Sequence, residues 1–235
     1  MIQTLKLSFF AAVALLLTLP AWAAPVQSTF TYVVSQGQEL IGEVQETLTL
    51  DGQRYKLESK TTPKGVAAVF VKDTILMSSE GGYSSNGFRP ERFEYHRSTK
   101  PKKDAVARFD WVGKTAEFAY EGKSESQALP ESLQDRLSVL YHFRFLNKSS
   151  KALTIPVSNG KKIENQLFNR AAEETLTLPI GKLKTTRYVR ERTPDDDGIT
   201  IWMSEQWAAP VKIMVTSKKG GQTEQVLKRA KLDGR

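Results

Sequence analysis

Two histidines, His96 and His142, and a run of three carboxylates, Asp195-Asp196-Asp197, are the residues of this sequence best equipped for chemistry. A histidine works in catalysis beside an orienting carboxylate and a nucleophile, or ligates a metal together with partners at fixed spacing. Neither histidine has that context: His142 falls beside an apolar stripe, and His96 lies among strand-like residues with Arg92 and Arg97. The three acids before Gly198 offer the hard oxygen ligands that calcium takes, but calcium loops alternate their acids and close on a glutamate. Their spacing reads as a solvated hairpin turn. The chain has no cysteine, which removes thiol nucleophiles, thiolate metal sites and disulfides together. It also lacks a Gly-x-Ser-x-Gly elbow, a phosphate-binding loop and a dinucleotide fingerprint. The expectation is a protein without catalytic residues, metal or cofactor. A carboxylate pair drawn from distant positions leaves no local signature, so a hydrolase of envelope polymers stays as the third functional reading.

Two groups of cations stand out. Lys100, Lys102 and Lys103 crowd a polar loop, while Lys182, Lys184, Arg190 and Arg192 share one face of a predicted strand with Tyr188. Such a face serves either as a patch for an anionic envelope component or as the solvent side of a half-buried strand, where lysine discourages edge-to-edge association. The apolar residues are distributed differently. Tyr32, Val44, Trp111, Leu137, Tyr141 and Trp202 come from many segments and are the candidates for lining a concave apolar surface.

The elements that must position these residues are mostly strands. Phe30, Tyr32 and Val34 alternate with polar neighbours, Gly37-Gln38 offers a tight turn, and Leu40, Val44, Leu48 and Leu50 fall on one face of the next strand. Asp51-Gly52 is a hairpin signal, and Tyr55 and Leu57 lie on the return. The pattern recurs in short segments as far as Thr223–Leu232, and no strand-helix-strand rhythm supports a parallel sheet. Two segments depart from it. The spacing of Leu133, Leu137, Leu140 and Tyr141 behind Pro130 predicts one amphipathic helix over 131–146, and Val66–Val71 reads as one or two further helical turns. The expected fold is all-β and mainly antiparallel, a large curved sheet or open half-barrel with both helices packed on its concave side. A two-layer sandwich is the alternative.

The first residues are short and basic up to Lys6, then apolar from Leu7 to Leu19, then Pro20 and Ala21-Trp22-Ala23. These are the parts of a secretory signal peptide, with cleavage expected after Ala23. Pro20 interrupts a run already short of the roughly twenty apolar residues that cross a bilayer. Residues 24–235 then form one β-rich domain in the periplasm that does not span the membrane. Removing one lysine from a net charge of +8 leaves +7, spread along the chain and mixed with acids. Export argues against nucleic acid as a partner.

The segment Gln134-Asp135-Arg136-Leu137-Ser138-Val139-Leu140-Tyr141-His142-Phe143-Arg144 resembles a motif of an exported bacterial family, the domain of unknown function 3108. Leu178-Pro179-Ile180-Gly181-Lys182-Leu183-Lys184-Thr185, Ile201-Trp202-Met203-Ser204 and Ala209-Pro210-Val211-Lys212-Ile213 are similar in kind and order. Arg136 departs from the pattern, standing where a smaller or apolar residue is expected. The resemblance implies an all-β envelope protein, with a layout similar to the periplasmic lipoprotein carriers, and it supplies no catalytic residues. The leading expectation is a non-enzymatic binding or carrier protein for an acyl chain, a lipid or a lipoprotein. The second is an interaction protein that uses a basic face or a sheet edge.

Overall fold

A computed structural model describes residues 25–146 and 149–233; the predicted signal peptide lies outside the described residues. Strands follow one another along the chain as β1 (Val26–Gln36), β2 (Glu39–Asp51), β3 (Arg54–Pro63), β4 (Ile75–Ser84), β5 (Gly87–Arg97), β6 (Ala105–Asp110), β7 (Thr115–Tyr120) and β8 (Lys123–Ala128). After the two-residue β9 (Gln134–Asp135) come β10 (Ala152–Ser158), β11 (Ile163–Leu178), β12 (Gly181–Arg190), β13 (Gly198–Ser204), β14 (Ala209–Thr216) and β15 (Gln222–Leu232). Two-residue turns join β1 to β2, β2 to β3 and β7 to β8. Gly37, Gly52 and Gly122 adopt positive φ of 61°, 55° and 75° there, as tight hairpins require.

All fifteen strands form one sheet, in the order β8-β7-β6-β5-β4-β3-β2-β1-β15-β14-β13-β12-β11-β10-β9. Every pairing is antiparallel except β9 on β10. The two edge strands, β8 and β9, are consecutive in sequence, and that forces a shape. A flat sheet of this many strands would be roughly 65 Å wide at ~4.8 Å per strand, yet the chain from Ala128 to Gln134 spans at most about 20 Å. The sheet must therefore curl until its edges nearly meet. At the closure, the Gly160 turn packs on Phe93 and Ala105 so tightly that a Cβ on Gly160 would lie 3.0 Å from the Phe93 ring. Lys161 also donates to Glu121 at 2.5 Å.

The chain between the edges turns inward and fills the trough. Leu129, Leu133, Leu137 and Tyr141 pack into the larger core with Phe30, Tyr32, Leu57, Phe93 and Phe118. Val139 and Phe143 pack into a second core with Val157, Phe168, Tyr188, Ile201 and Ile213. One buried segment thus separates two apolar compartments within a single curved sheet.

The all-β, mainly antiparallel expectation holds, and both helices need correction. Only α2 (Ser138–His142) and one 3-10 turn, Phe143–Phe145, form within 131–146. The reason is local. Ser132 takes φ 61°, Gln134–Asp135 pairs with β10, and the Asp135 carboxylate accepts the N–H groups of Leu137 and Ser138 at 2.9 and 2.8 Å. An aspartate that holds the backbone in a turn competes with helix propagation. The second segment forms α1 (Ala67–Phe70), but it buries no residue and lies outside the concave side.

Candidate ligand-binding site

Alternation within the second compartment sets its lining. Val157 of β10, Phe168 of β11, Ile201 of β13 and Val215 of β14 face Val139 and Leu140 across a pocket of about 280 Å³. Arg136, Glu164, Arg190 and Asp196 reach its rim. Arg190 is ion-paired with Asp196 and Glu164 with Lys162 at 2.6 Å, whereas Arg136 is exposed beside the Tyr95 ring, 5.7 Å from its centroid. A second pocket of about 240 Å³ lies beyond, lined by Phe143, Leu146, Tyr188 and Met203. Phe143 and Tyr188 of the second pocket stack at 4.4 Å, and the Phe143 ring lies 5.0 Å from Phe168 of the first. A depression of about 840 Å³ between Pro101–Asp104 and Ala119–Lys123 is larger, but exposed or half-exposed side chains line it and no core residue does.

The six residues expected to line a cavity do not line this one. Tyr32, Val44, Leu137, Tyr141 and Trp202 are buried in the larger core, and Trp111 packs against it half-buried. Their polar atoms are engaged in holding that core together. The Tyr32 hydroxyl donates to the Pro210 carbonyl at 3.0 Å, and the indoles of Trp202 and Trp111 donate to Glu174 at 2.8 Å and to the Pro90 carbonyl at 2.6 Å. Ile201, not Trp202, faces the pocket, because neighbours in a strand point to opposite sides.

The basic face also divides. Lys182 and Lys184 are exposed at the start of β12, and Lys184 pairs with Glu173 at 2.6 Å. From Thr186 the same face is covered; Tyr188 is buried, and Arg190 sits at the pocket rim. Arg192 lies past the strand end and donates to the Lys218 carbonyl at 2.7 Å. The acids of the 195–197 turn serve the turn itself: Asp196 holds Arg190, and Asp197 accepts the Lys218 N–H at 2.8 Å. His96 bonds Asp104 at 2.6 Å on the surface. His142 is buried against Gly87 and Phe145, and burial pushes its pKa down to about 4.

Two buried carboxylates escaped the sequence reading. Glu46 accepts the Tyr141 hydroxyl at 2.5 Å and the Ser59 hydroxyl at 3.5 Å. Burial raises its pKa from the ordinary 4.5 to about 7, more than these hydrogen bonds lower it. Asp135 accepts the Ser79 hydroxyl at 2.5 Å, and Ser79 in turn bonds the Tyr55 hydroxyl at 2.7 Å. Burial raises the Asp135 pKa to about 6. Glu46 had left a signal, since it sits between Val44 and Leu48 on the apolar face of its strand.

Among curated proteins none matches the chain. A solved β-barrel-like protein of the domain of unknown function DUF1849 from Brucella abortus shares 7% identity at a TM-score of 0.59, over 88% of this chain and 98% of that one. The likeness concerns the fold alone. A solved domain described as an outer membrane lipoprotein-sorting protein domain, from Vibrio parahaemolyticus, shares 11% identity over 92% of this chain and 87% of that one. Its TM-score of 0.28 carries no weight for the fold. The family model described as protein of unknown function (DUF3108) matches residues 31–227. The chain belongs to that family.

Proposed function

We propose that this is a non-enzymatic binding or carrier protein of the cell envelope, exported by a signal peptide cleaved after Ala23, whose ligand is an acyl chain or lipid tail. The observation that carries the reading is the pocket beneath residues 136–146, whose floor is Val139, Val157, Phe168, Ile201 and Val215 and whose mouth is charged, with Glu164 and Asp196 engaged in ion pairs with Lys162 and Arg190. An amphiphile fits its two chemistries: tail inward among these side chains, head group at the rim beside Arg136. Proteins that bind apolar ligands commonly place a few polar groups at the mouth of such a site.

Intact-mass analysis of the protein exported and purified under native conditions tests compartment and cargo together. The expected result is a chain beginning at Ala24 that carries an extractable lipid; an uncleaved chain overturns the export reading, and a cleaved chain without lipid counts against the cargo. Filling the pocket gives a sharper test. Val157→Trp is expected to weaken binding of a fluorescent fatty-acid probe at least tenfold, while Leu76→Trp on the half-exposed outer face leaves it unchanged. Equal affinities would remove the pocket from consideration.

The alternative, an interaction protein, draws on the sheet edge. All six residues of β8 are exposed and, among the described residues, the strand pairs with β7 alone, so its other edge is open to an extended partner segment.

A further inference from the structure

The connection between β3 and β4 carries Val66-Ala67-Ala68-Val69-Phe70-Val71, and it is turned outward. Phe70 is 81% exposed, Val69 69%, Val66 61% and Val71 46%, with Leu40 of the adjoining β2 at 44%. Isolated exposed apolar residues need no explanation, but a continuous group at the tip of one loop does. The loop's course is built in. Lys64 N–H donates to the Ile41 carbonyl at 3.1 Å, and Gly65 takes φ 57° where a Cβ would stand 2.4 Å from the Leu40 carbonyl oxygen. Only glycine fits that approach.

The charge around the tip is of one predominant sign. Lys64 and Lys72 bracket the apolar run. The Lys100–Lys103 loop is tied to its base: Ser98 N–H donates to the Thr74 carbonyl at 3.0 Å, Thr99 N–H to Asp73 at 3.0 Å, and Arg97 is ion-paired with Asp73. Lys64, Lys72, Lys100, Lys102 and Lys103 therefore gather at the same end of the sheet as the exposed valines and Phe70. The acids nearby are Glu39, Asp73, Asp104 and Glu121, and the last three are occupied by Arg97, His96 and Lys161. An apolar tip collared by lysines matches the two layers of an anionic bilayer surface, hydrocarbon below and phosphate above. A protein partner would have to supply a matching apolar socket with an acidic rim, whereas the bilayer presents both layers without further fitting.

We propose that the 66–71 loop inserts into the interfacial region of an anionic phospholipid membrane, with Lys64, Lys72, Lys100, Lys102 and Lys103 on the lipid phosphates. This docking stands independently of the pocket, because the loop lies outside both apolar compartments.

Co-sedimentation of the exported protein with phosphatidylcholine vesicles, with and without phosphatidylglycerol, tests it. Binding is expected only when the anionic lipid is present and is expected to fall as salt rises. The double variant Val69→Ser/Phe70→Ser should bind at least tenfold more weakly, and each of Lys100→Glu and Lys102→Glu about fivefold more weakly. Thermal melting of these surface variants should match the parent, and Phe70→Trp should report burial by a blue-shifted emission on vesicle addition. Binding that survives loss of Val69 and Phe70, or absence of binding with the parent, overturns the proposal. So does a parent that is dimeric in sedimentation while the double variant is monomeric, since a second copy would then own this face.

Discussion

Replacing Glu46 by glutamine is expected to stabilise the protein by up to about 3 kcal/mol at pH 8 and to change little at pH 4. The glutamate is 2% exposed, and burial lifts its pKa from 4.5 to about 7. Below pH 4.5 the side chain is protonated in both folded and unfolded chains and its burial carries no charge penalty. As pH rises through the interval from 4.5 to 7, the unfolded chain releases its proton first, and the folded state loses the corresponding stability. Glutamine keeps an oxygen to accept from Tyr141 and cannot ionise. His142 acts in the opposite sense: its pKa is depressed to about 4, so it removes stability as pH falls from 6.5 towards 4. Urea denaturation of parent and Glu46→Gln across pH 4 to 8 separates the two, because the His142 contribution cancels in the difference. A difference that is flat with pH would show that Glu46 is ionised normally in the folded protein.

Replacing Asp135 by alanine is expected to cost on the order of 4 kcal/mol, enough to unfold a marginal domain. Three buried donors, the Ser79 hydroxyl and the N–H groups of Leu137 and Ser138, converge on this carboxylate. Each group left unpaired costs about 1–3 kcal/mol. The loss falls on the segment that separates the two cores, so α2 and the pocket wall should loosen before the rest. Asp135→Asn retains one acceptor oxygen and is expected to recover roughly half of the loss, with no pH dependence from this position. Hydrogen exchange at Leu137–Tyr141, compared with exchange in β1 and β2, reads the effect directly. Equal stability of alanine and parent would mean that water or backbone rearrangement satisfies all three donors.

The strand pattern was legible wherever one face is wet. Val44, Glu46 and Leu48 are buried while Gln45 is exposed, the alternation that an amphipathic strand must show. Strand β8 was not legible, since Lys123, Ser124, Glu125 and Ser126 carry no apolar face and only the β7 ladder holds them. The helix over 131–146 was over-read for a definite reason. Leu133, Leu137 and Tyr141 recur at helical spacing because all three reach the larger core, while Ser132 at φ 61° and the turn held by Asp135 keep the segment from being one continuous helix. The resemblance fixed the family and the open-sheet layout, but placing the cavity depended on knowing which side of that segment each residue faces. Tyr32 and Tyr141 are apolar enough for a pocket and polar enough to clamp the core, and pairing with Pro210 and Glu46 decides for the clamp.

The pairing of β1 with β15 has a kinetic consequence. The first strand of the sheet lies at its centre, with β2 on one flank and β15 on the other, so the keystone of the arch joins strands far apart in sequence. Until Gln222–Leu232 is available, β1 offers a bare ladder of donors and acceptors in mid-sheet, and such a ladder recruits strangers as readily as its own mate. Sequence separation this long also slows the search for the native pairing. A chain cut before β15 should therefore aggregate instead of populating a smaller native arch, and the meeting of β1 with β15 should govern how fast the protein matures.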